Sequence, residues 1–538
     1  MKIPRKKELL ELQKKYRTDK KIGEVYGVPG RLVAYWRSKK KIGPYSQPKY
    51  SSERITDLWE RFGDDRLAGI ELGISGPGFR QWRLRYGIKN KPTQLKIEQL
   101  ELEFLDMPSI TKSTRKETFI RKLLARKAGL KTVEEGEIVA IEPDLVIASD
   151  NAGIAIDAFY NAGNTKVFNH AKIAIILNHL GSLAESEIKS QNIAGEQKKI
   201  REFAKKQSIM MFYDVGCGMP HQVIIEEGLI LPGQLTVGAD QYIPSYGGVG
   251  AYSINIAISE MAKIWASGRI EQKIPESIKI VVNGNLSQGV AANDIILKLS
   301  REINKYAKSG KAFEFYGRAI MALTTSQRIT LTNFTIAAGA GSAMVPVDEI
   351  TQRFLKKITK AKYKLVKADF DAIYENEIET DVSFLSPQIV ACGNIDDSKP
   401  VEELAGKQID HVVLGGCTNG HLEDLEIAAS ILRGRRIHRN TRMMVIPSSR
   451  KTFLEAIDKG YISALVESGC LILNPSYDSY FSANNGMLAD GERALTTTYN
   501  NISNKNKLKH SEIYIVSPAT VAASALEGAI ADPRKYFG

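Results

Sequence analysis

The sequence predicts an α/β body of stacked α/β/α layers preceded by a small all-α head. Three observations carry this division. From about residue 117 onward, short apolar strands alternate with helical stretches, the pattern of parallel layered sheets. Ahead of them lies a helical repeat with an offset of 46 residues. Charge divides at the same place. The 538-residue chain carries 74 Lys+Arg against 61 Asp+Glu, and its first hundred residues hold 24 and 11 of these. The remaining 438 residues are therefore balanced at 50 of each sign, and the whole excess of +13 belongs to the head.

Bulk composition excludes several classes. At 43% hydrophobic and 25% charged residues the chain is ordinary globular protein rather than a disordered one. No apolar run reaches the ~18–20 residues that span a bilayer, so no membrane partner is expected. Cys217, Cys392, Cys417 and Cys470 are scattered without a CxxC pair, which argues against a disulfide framework or a zinc ribbon. A reducing cytoplasm is the expected compartment.

The head aligns on itself. Tyr16 pairs with Phe62, Gly27 with Gly73, Trp36 with Trp82, Arg37 with Arg83 and Ile42 with Ile88. Each copy (1–46 and 47–92) reads as a helix, a turn opened by Gly27 or Gly73, and a second helix carrying the tryptophan. The pattern resembles helix-turn-helix DNA-binding units. On that resemblance the second helices would meet duplex DNA, through Arg31, Arg37, Lys39, Lys40 and Lys41 in the first copy and Arg80, Arg83 and Arg85 in the second. Trp36 and Trp82 are expected in the core. The competing reading is a protein-docking adaptor with a solvated basic face. Residues 93–116 are expected to form a linker.

In the body, the apolar stretches 138–149, 172–179, 208–216, 278–284, 411–416, 442–448 and 512–520 read as buried strands, each ending near Gly, Ser, Asn or Asp. Chemistry is expected at their C-terminal ends. Neither GxGxxG nor GxxxxGK[ST] occurs at a suitable place, so nucleotide binding through those loops is unsupported.

Several runs are more specific: MPHQVIIEEGLILPGQLTVGAD (219–240), GGCTNGHLEDLEIAASILRGRRI (415–437), NNGMLADGERALTTTYNN (484–501) and SPATVAASALEGAIADPRKYF (517–537). Together they make the body resemble the aconitase superfamily, in particular large subunits of the 3-isopropylmalate dehydratase and homoaconitase type. The resemblance implies three α/β/α domains, divided here as 117–350 for the first two and 351–538 for the third. A swivelling fourth domain is expected to be absent from this chain.

The resemblance also implies a 4Fe–4S cluster held by three cysteines, whose open iron acts as a Lewis acid on the substrate hydroxyl. Residue by residue, Cys417 matches the first ligand, whereas Tyr477 and Tyr480 stand at the other two. The family's Asp-His pair reads Asn178-His179, its Asp-Ser-His-Thr motif reads Asp240-Gln241-Tyr242-Ile243, and a glutamate reads Ala337. Two late arginines, implied to bind carboxylate, read Asn500 and Lys505. His179, His221, Asp240, Cys417 and Asn419 persist. His221 is the remaining acid–base candidate, with Glu226 near it in sequence.

These substitutions lead to an expectation of no cofactor and no metal. The expected function is a catalytically degenerate scaffold with a nucleic-acid-binding head, a regulator or scaffold protein, whose vestigial cleft takes a small-molecule ligand. One alternative is a hydro-lyase acting on a hydroxy-di- or tricarboxylic acid, with a small-subunit partner or self-association. A structural assembly protein is the other.

Overall fold

The computed structural model describes the chain except residues 1–3, 17, 41, 43–50, 63–67, 69–71, 73–75, 87, 89–115, 179–192, 241–242, 308–309, 393, 476–487, 499–510 and 538. It divides into two compact units, Met1–Lys112 and Ser113–Gly538. Apart from Lys116, the expected linker lies outside the described residues.

In the head, α1 (Lys6–Tyr16), α2 (Asp19–Tyr26) and α3 (Gly30–Lys39) form the first copy. In the second, α4 (Ser52–Phe62) and α5 (Gly76–Arg85) repeat the bounds of α1 and α3, each displaced by 46. Thr18 caps α2 by accepting from the Lys21 amide, and Gly27 ends it at φ 64°, a left-handed conformation natural to glycine. Gly73 lies outside the described residues.

Each copy buries its own apolar cluster. Leu9, Ile22, Val33, Trp36 and Ile42 form the first, and Ile55, Leu58, Trp59, Ala68 and Phe79 the second, with Trp82 packed against it. Trp36 is a core residue, as expected, whereas Trp82 is half-buried and the buried tryptophan of the second copy is Trp59.

Two of the proposed DNA contacts are corrected here. Arg37 is buried: its Nε donates to Asp19 Oδ1 (2.6 Å), its Nη2 to Asp19 Oδ2, and its Nη1 to the Ile42 carbonyl (3.2 Å). Arg83 is buried too. Its Nη1 donates to the Ile88 carbonyl (2.9 Å), and its guanidinium lies 3.9 Å from the centre of the Trp59 ring. Both arginines thus tie off the end of a helix from inside, five residues back from the carbonyl they hold. Their charge is spent internally. Arg31, Lys39, Arg80 and Arg85 are exposed and Lys40 is half-buried, whereas Lys41 lies outside the described residues.

The body begins with α6 (Phe119–Ala128), capped by Thr118, and β1 (Ile138–Ile141). The first sheet contains β2 (Leu145–Ala148), β3 (Ile173–Ile176), β4 (Met211–Tyr213), β5 (Leu235–Gly238) and β6 (Tyr252–Asn255), all parallel in the order β4-β3-β2-β5-β6. Side chains alternate between its faces, as the two-residue strand period requires. Val146, Ala148, Ile173 and Ile175 enter one core; Leu145, Ile147, Ala174 and Ile176 enter another. Both faces are covered, which is why these strands read as unbroken apolar runs. β7 (Ile270–Lys273) pairs antiparallel with β1.

A second parallel sheet contains β8 (Ser277–Asn283), β9 (Ala312–Tyr316), β10 (Ser342–Met344) and β11 (Asn376–Asp381), in the order β10-β9-β8-β11. The third contains β12 (Gln388–Ala391), β13 (Lys399–Pro400), β14 (His411–Gly415), β15 (Arg442–Ile446), β16 (Leu471–Ile472), β17 (Arg493–Thr496) and β18 (Glu512–Val516). Its order is β13-β12-β18-β17-β14-β15-β16, with β12 antiparallel to both neighbours. The three layered α/β sheets expected from the sequence are present.

Candidate functional site

The best-defined loop of the candidate site follows β14. Gly415 (φ 97°) and Gly420 (φ 86°) turn the chain so closely against β15 that a Cβ on either would come within 2.0 or 2.3 Å of the Ile446 carbonyl oxygen. Only glycine fits there. The loop then opens helix α7 (Leu422–Leu432), with His421 at its N-cap. Asp424 accepts from the Gly420 amide (2.9 Å), the His421 amide (3.1 Å) and Asn419 Nδ2 (3.2 Å), closing the helix start.

Other layers pin the same loop. Asn419 and Asn293 exchange reciprocal amide hydrogen bonds of 3.0 and 3.3 Å. Thr330 Oγ1 donates to the Thr418 carbonyl (2.9 Å), and Thr418 Oγ1 donates to the Thr497 carbonyl (3.1 Å). Cys417 is fully buried among Val413, Met444, Ile446, Leu488, Ala494 and Ile513, and Cys392 packs against this cluster.

The first sheet supplies the facing wall. Asp150 follows β2, and its Oδ2 accepts from the Asn178 amide (2.9 Å) beyond the end of β3. Asn178 Nδ2 donates to Met219 Sδ (3.2 Å). The Met219 amide donates to the Ser448 carbonyl (2.9 Å), and Gly218 bridges antiparallel to Ser449, so the segment before His221 docks on the loop after β15. His221 is 2% exposed, and burial together with neighbouring His421 pushes its pKa down to about 3. At neutral pH it is an uncharged imidazole.

Glu226 has a different job. Its Oε1 accepts from Gln222 (2.7 Å), Ser449 (2.8 Å) and Thr452 (3.1 Å), tying the end of the helix Pro220–Glu226 to the start of the helix Arg450–Asp458. Asp240 is half-buried just after β5, and Ala337 ends the helix Thr325–Ala337. His179, Gln241, Tyr242, Tyr477, Tyr480, Asn500 and Lys505 lie outside the described residues.

The structure therefore brings Asn178, His221 and the Cys417–Asn419 loop to one region. Sequence reading missed His421, Asp424, Asn293 and Asp150 there. His421 had a visible signal: it sits two residues past Asn419, at the N-cap position ahead of a carboxylate three residues on.

Comparison with known proteins decides the family. A model described as the aconitase family (aconitate hydratase) matches residues 121–405 and 391–528. The chain belongs to the aconitase family. It is 36% identical over 421 residues to 3-isopropylmalate dehydratase large subunit 1 of Methanopyrus kandleri, covering 78% of this chain and 99% of that protein. It is 39% identical over 393 residues to a probable methanogen homoaconitase large subunit of Methanosarcina mazei, covering 73% and 98%. A crystal structure of Thermococcus kodakaraensis aconitase X in its holo-form aligns with TM-score 0.41 and 14% identity over 67% of this chain and 84% of that one.

Membership corrects the expectation that no cofactor is needed. A chain this similar to dehydratase large subunits belongs with a family for which a 4Fe–4S cluster is implied, and two tyrosines are not grounds for dismissing a metal centre. The described donors alone do not build the three-thiolate cradle. Among the described residues no three His, Cys, Asp or Glu side chains converge to hold a metal. Among the described residues no helix is long and apolar enough to cross a membrane.

Proposed function

We propose that the body works as the large subunit of a hydro-lyase, moving water across a carbon–carbon bond of a hydroxy-di- or tricarboxylic acid. One observation carries this reading: dehydratase and homoaconitase large subunits match the body over 98–99% of their own length. The packed strand-end loops support it, because Asn178, His221, Asn419 and His421 hold defined positions there. Tyr477, Tyr480, Asn500 and Lys505, which the resemblance puts at ligand and carboxylate-binding positions, are the residues in which this chain is read as departing from its relatives. Substrate choice is therefore expected to differ from that of the relatives.

The test is turnover by the full chain. Protein purified without oxygen is assayed for iron and sulfide, then supplied with hydroxy-diacids and hydroxy-triacids, alone and with a small-subunit partner. Formation of the unsaturated acid is expected. Its absence in iron-replete protein with the partner present overturns the proposal.

For the head we propose binding to duplex DNA. The supporting observation is the solvent face of α3, where Arg31, Tyr35 and Lys39 are all exposed at successive four-residue steps, in the part of the chain that holds the whole charge excess. Deleting residues 1–95 should abolish binding to duplex DNA. Undiminished binding by the truncated body refutes it. Discrimination of one site by ~10³-fold or more would mark a regulator, and salt dependence without sequence preference an unspecific grip.

A further inference from the structure

The neutral body contains two strongly charged stretches that adjoin in the chain. Residues 353–367 hold Arg353 and six lysines without an Asp or Glu, and residues 368–381 hold six carboxylates without a Lys or Arg. Summed, they nearly cancel, so net charge conceals them. Lys356, Lys357, Lys360, Lys362, Lys364 and Lys367 are all exposed, and none pairs with a described carboxylate.

The fold holds both stretches with their charges outward. After the helix Glu349–Ile358 the chain runs along the first layer, where Val366 and Ala368 pack on its core. It lies so close there that a Cβ on Gly233 would come within 2.7 Å of the Lys364 carbonyl oxygen. The acidic stretch then becomes β11, seated on the second core through Ile378, with Glu377, Glu379 and Asp381 on its exposed side. One flank of β11 bonds to β8, and the other is the open edge of the second sheet. Glu377 is paired with Lys279 (2.9 Å), but Asp371, Glu379 and Asp381 meet no described Lys or Arg.

Between the two stretches the surface is apolar. Leu365, Phe370 and Ile373 are exposed, Phe370 completely. Exposed ion pairs contribute little affinity and chiefly set orientation, whereas a central aromatic anchor supplies binding. A positive wing, an apolar centre and a negative wing meet the requirement of a two-fold interface, in which the same patch must complement itself. A nucleic acid or an anionic bilayer would suit the lysines but be repelled by the carboxylates beside them. Two copies of β11 facing each other would likewise set carboxylates against carboxylates.

We propose that residues 353–381 form a self-complementary face on which two copies of this chain pair about a two-fold axis. The lysines of each copy lie against the carboxylates of the other, and Phe370 sits near the axis.

The test is sedimentation of the full chain with one wing reversed at a time. Wild type is expected to form a dimer whose dissociation constant rises at least ~10-fold between about 0.1 and 0.5 M salt. Replacing Lys360, Lys362, Lys364 and Lys367 by Glu turns the basic stretch net negative. Replacing Asp371, Glu377, Glu379 and Asp381 by Lys turns the acidic stretch net positive. Each quadruple variant alone should associate at least ~10²-fold more weakly than wild type. Mixed in equal amounts, they should recover a dimer with one copy of each, because opposite charges then meet in both contacts. Phe370→Asp should weaken the wild-type dimer at least ~10-fold. All nine side chains are exposed, so no core is disturbed.

A monomeric wild type, a dimer that survives either quadruple variant, or a mixture that stays monomeric overturns the inference. Loss of binding to duplex DNA or to phosphatidylserine vesicles in the lysine variant, with its dimer intact, assigns the lysines to a polyanion and overturns it as well.

Discussion

Removing the Arg37 guanidinium should unfold the first copy of the head locally. Three of its donors are engaged, two on Asp19 and one on the Ile42 carbonyl, and its side chain is only 8% exposed. Breaking a buried pair by deleting one partner costs about 3–5 kcal/mol, chiefly because the other charge is stranded. Asp19 keeps 24% of its side chain in solvent and can rehydrate, so the lower end, about 3 kcal/mol, applies. At 1.4 kcal/mol per decade this is roughly a hundredfold gain in local opening. Amide hydrogen exchange of the full chain reads it directly. In Arg37→Met, amides of α2 and α3 should exchange about 10²-fold faster, or lose protection altogether if the copy is less stable than that. Arg31→Ala and Lys39→Ala, on the exposed face, should stay within about 0.5 kcal/mol of wild type. Exchange in Arg37→Met within about threefold of wild type would refute the argument that this arginine is a structural strut.

The remaining predictions concern the body. Burial pushes His221 down to about pH 3, so the native state refuses a proton that the unfolded chain takes near 6.5, and stability falls as pH drops through that window. The loss at pH 5 is about 2 kcal/mol, and His221→Gln should remove it in urea titrations at pH 7.5 and 5. Asp294 has the opposite sign. Burial pushes it up to about 7, so the native state keeps a proton the unfolded chain releases near 4, and its contribution weakens as pH rises between those values. Asp294→Asn should therefore gain on wild type by up to ~1.4 kcal/mol per pH unit across that range, and equal slopes would contradict it. Gly420→Ala should lower thermal stability by several kcal/mol, since the added Cβ meets a carbonyl oxygen in a left-handed backbone. Burial lifts the Cys470 thiol to about 12, so it should resist alkylation in the native protein at pH 8 and react once unfolded.

Much of the architecture was legible in the residues because periodic signals are local. The 46-residue offset reappears in the helix bounds, and Trp36 sits in a core because a small helical unit needs one large apolar anchor. The strands were visible since both faces of each sheet are buried. What failed was the direction of single side chains. Arg37 and Arg83 look like surface charges on a basic helix, yet each folds back to a carbonyl five residues on, a contact that charge counting does not contain. Glu226 lies beside His221 in sequence but faces Ser449 and Thr452, more than two hundred residues away. His421 escaped notice because its Nε2, buried without a partner among the described residues, is a property of packing rather than of a motif. The absence of a cofactor, expected from Tyr477 and Tyr480, is overturned because a match extending along the whole body outweighs two positions.

The junction Asn419–Gly420 has a consequence for the molecule's lifetime. Asparagine followed by glycine is the dipeptide most open to spontaneous deamidation, in which the glycine nitrogen attacks the side-chain carbonyl and closes a succinimide ring. Here that nitrogen's hydrogen is held by Asp424, and the carbonyl under attack is engaged by Asn293. The same bonds that fix the loop resist the rotation that ring closure needs, so the protein should age at this peptide only after the loop comes loose.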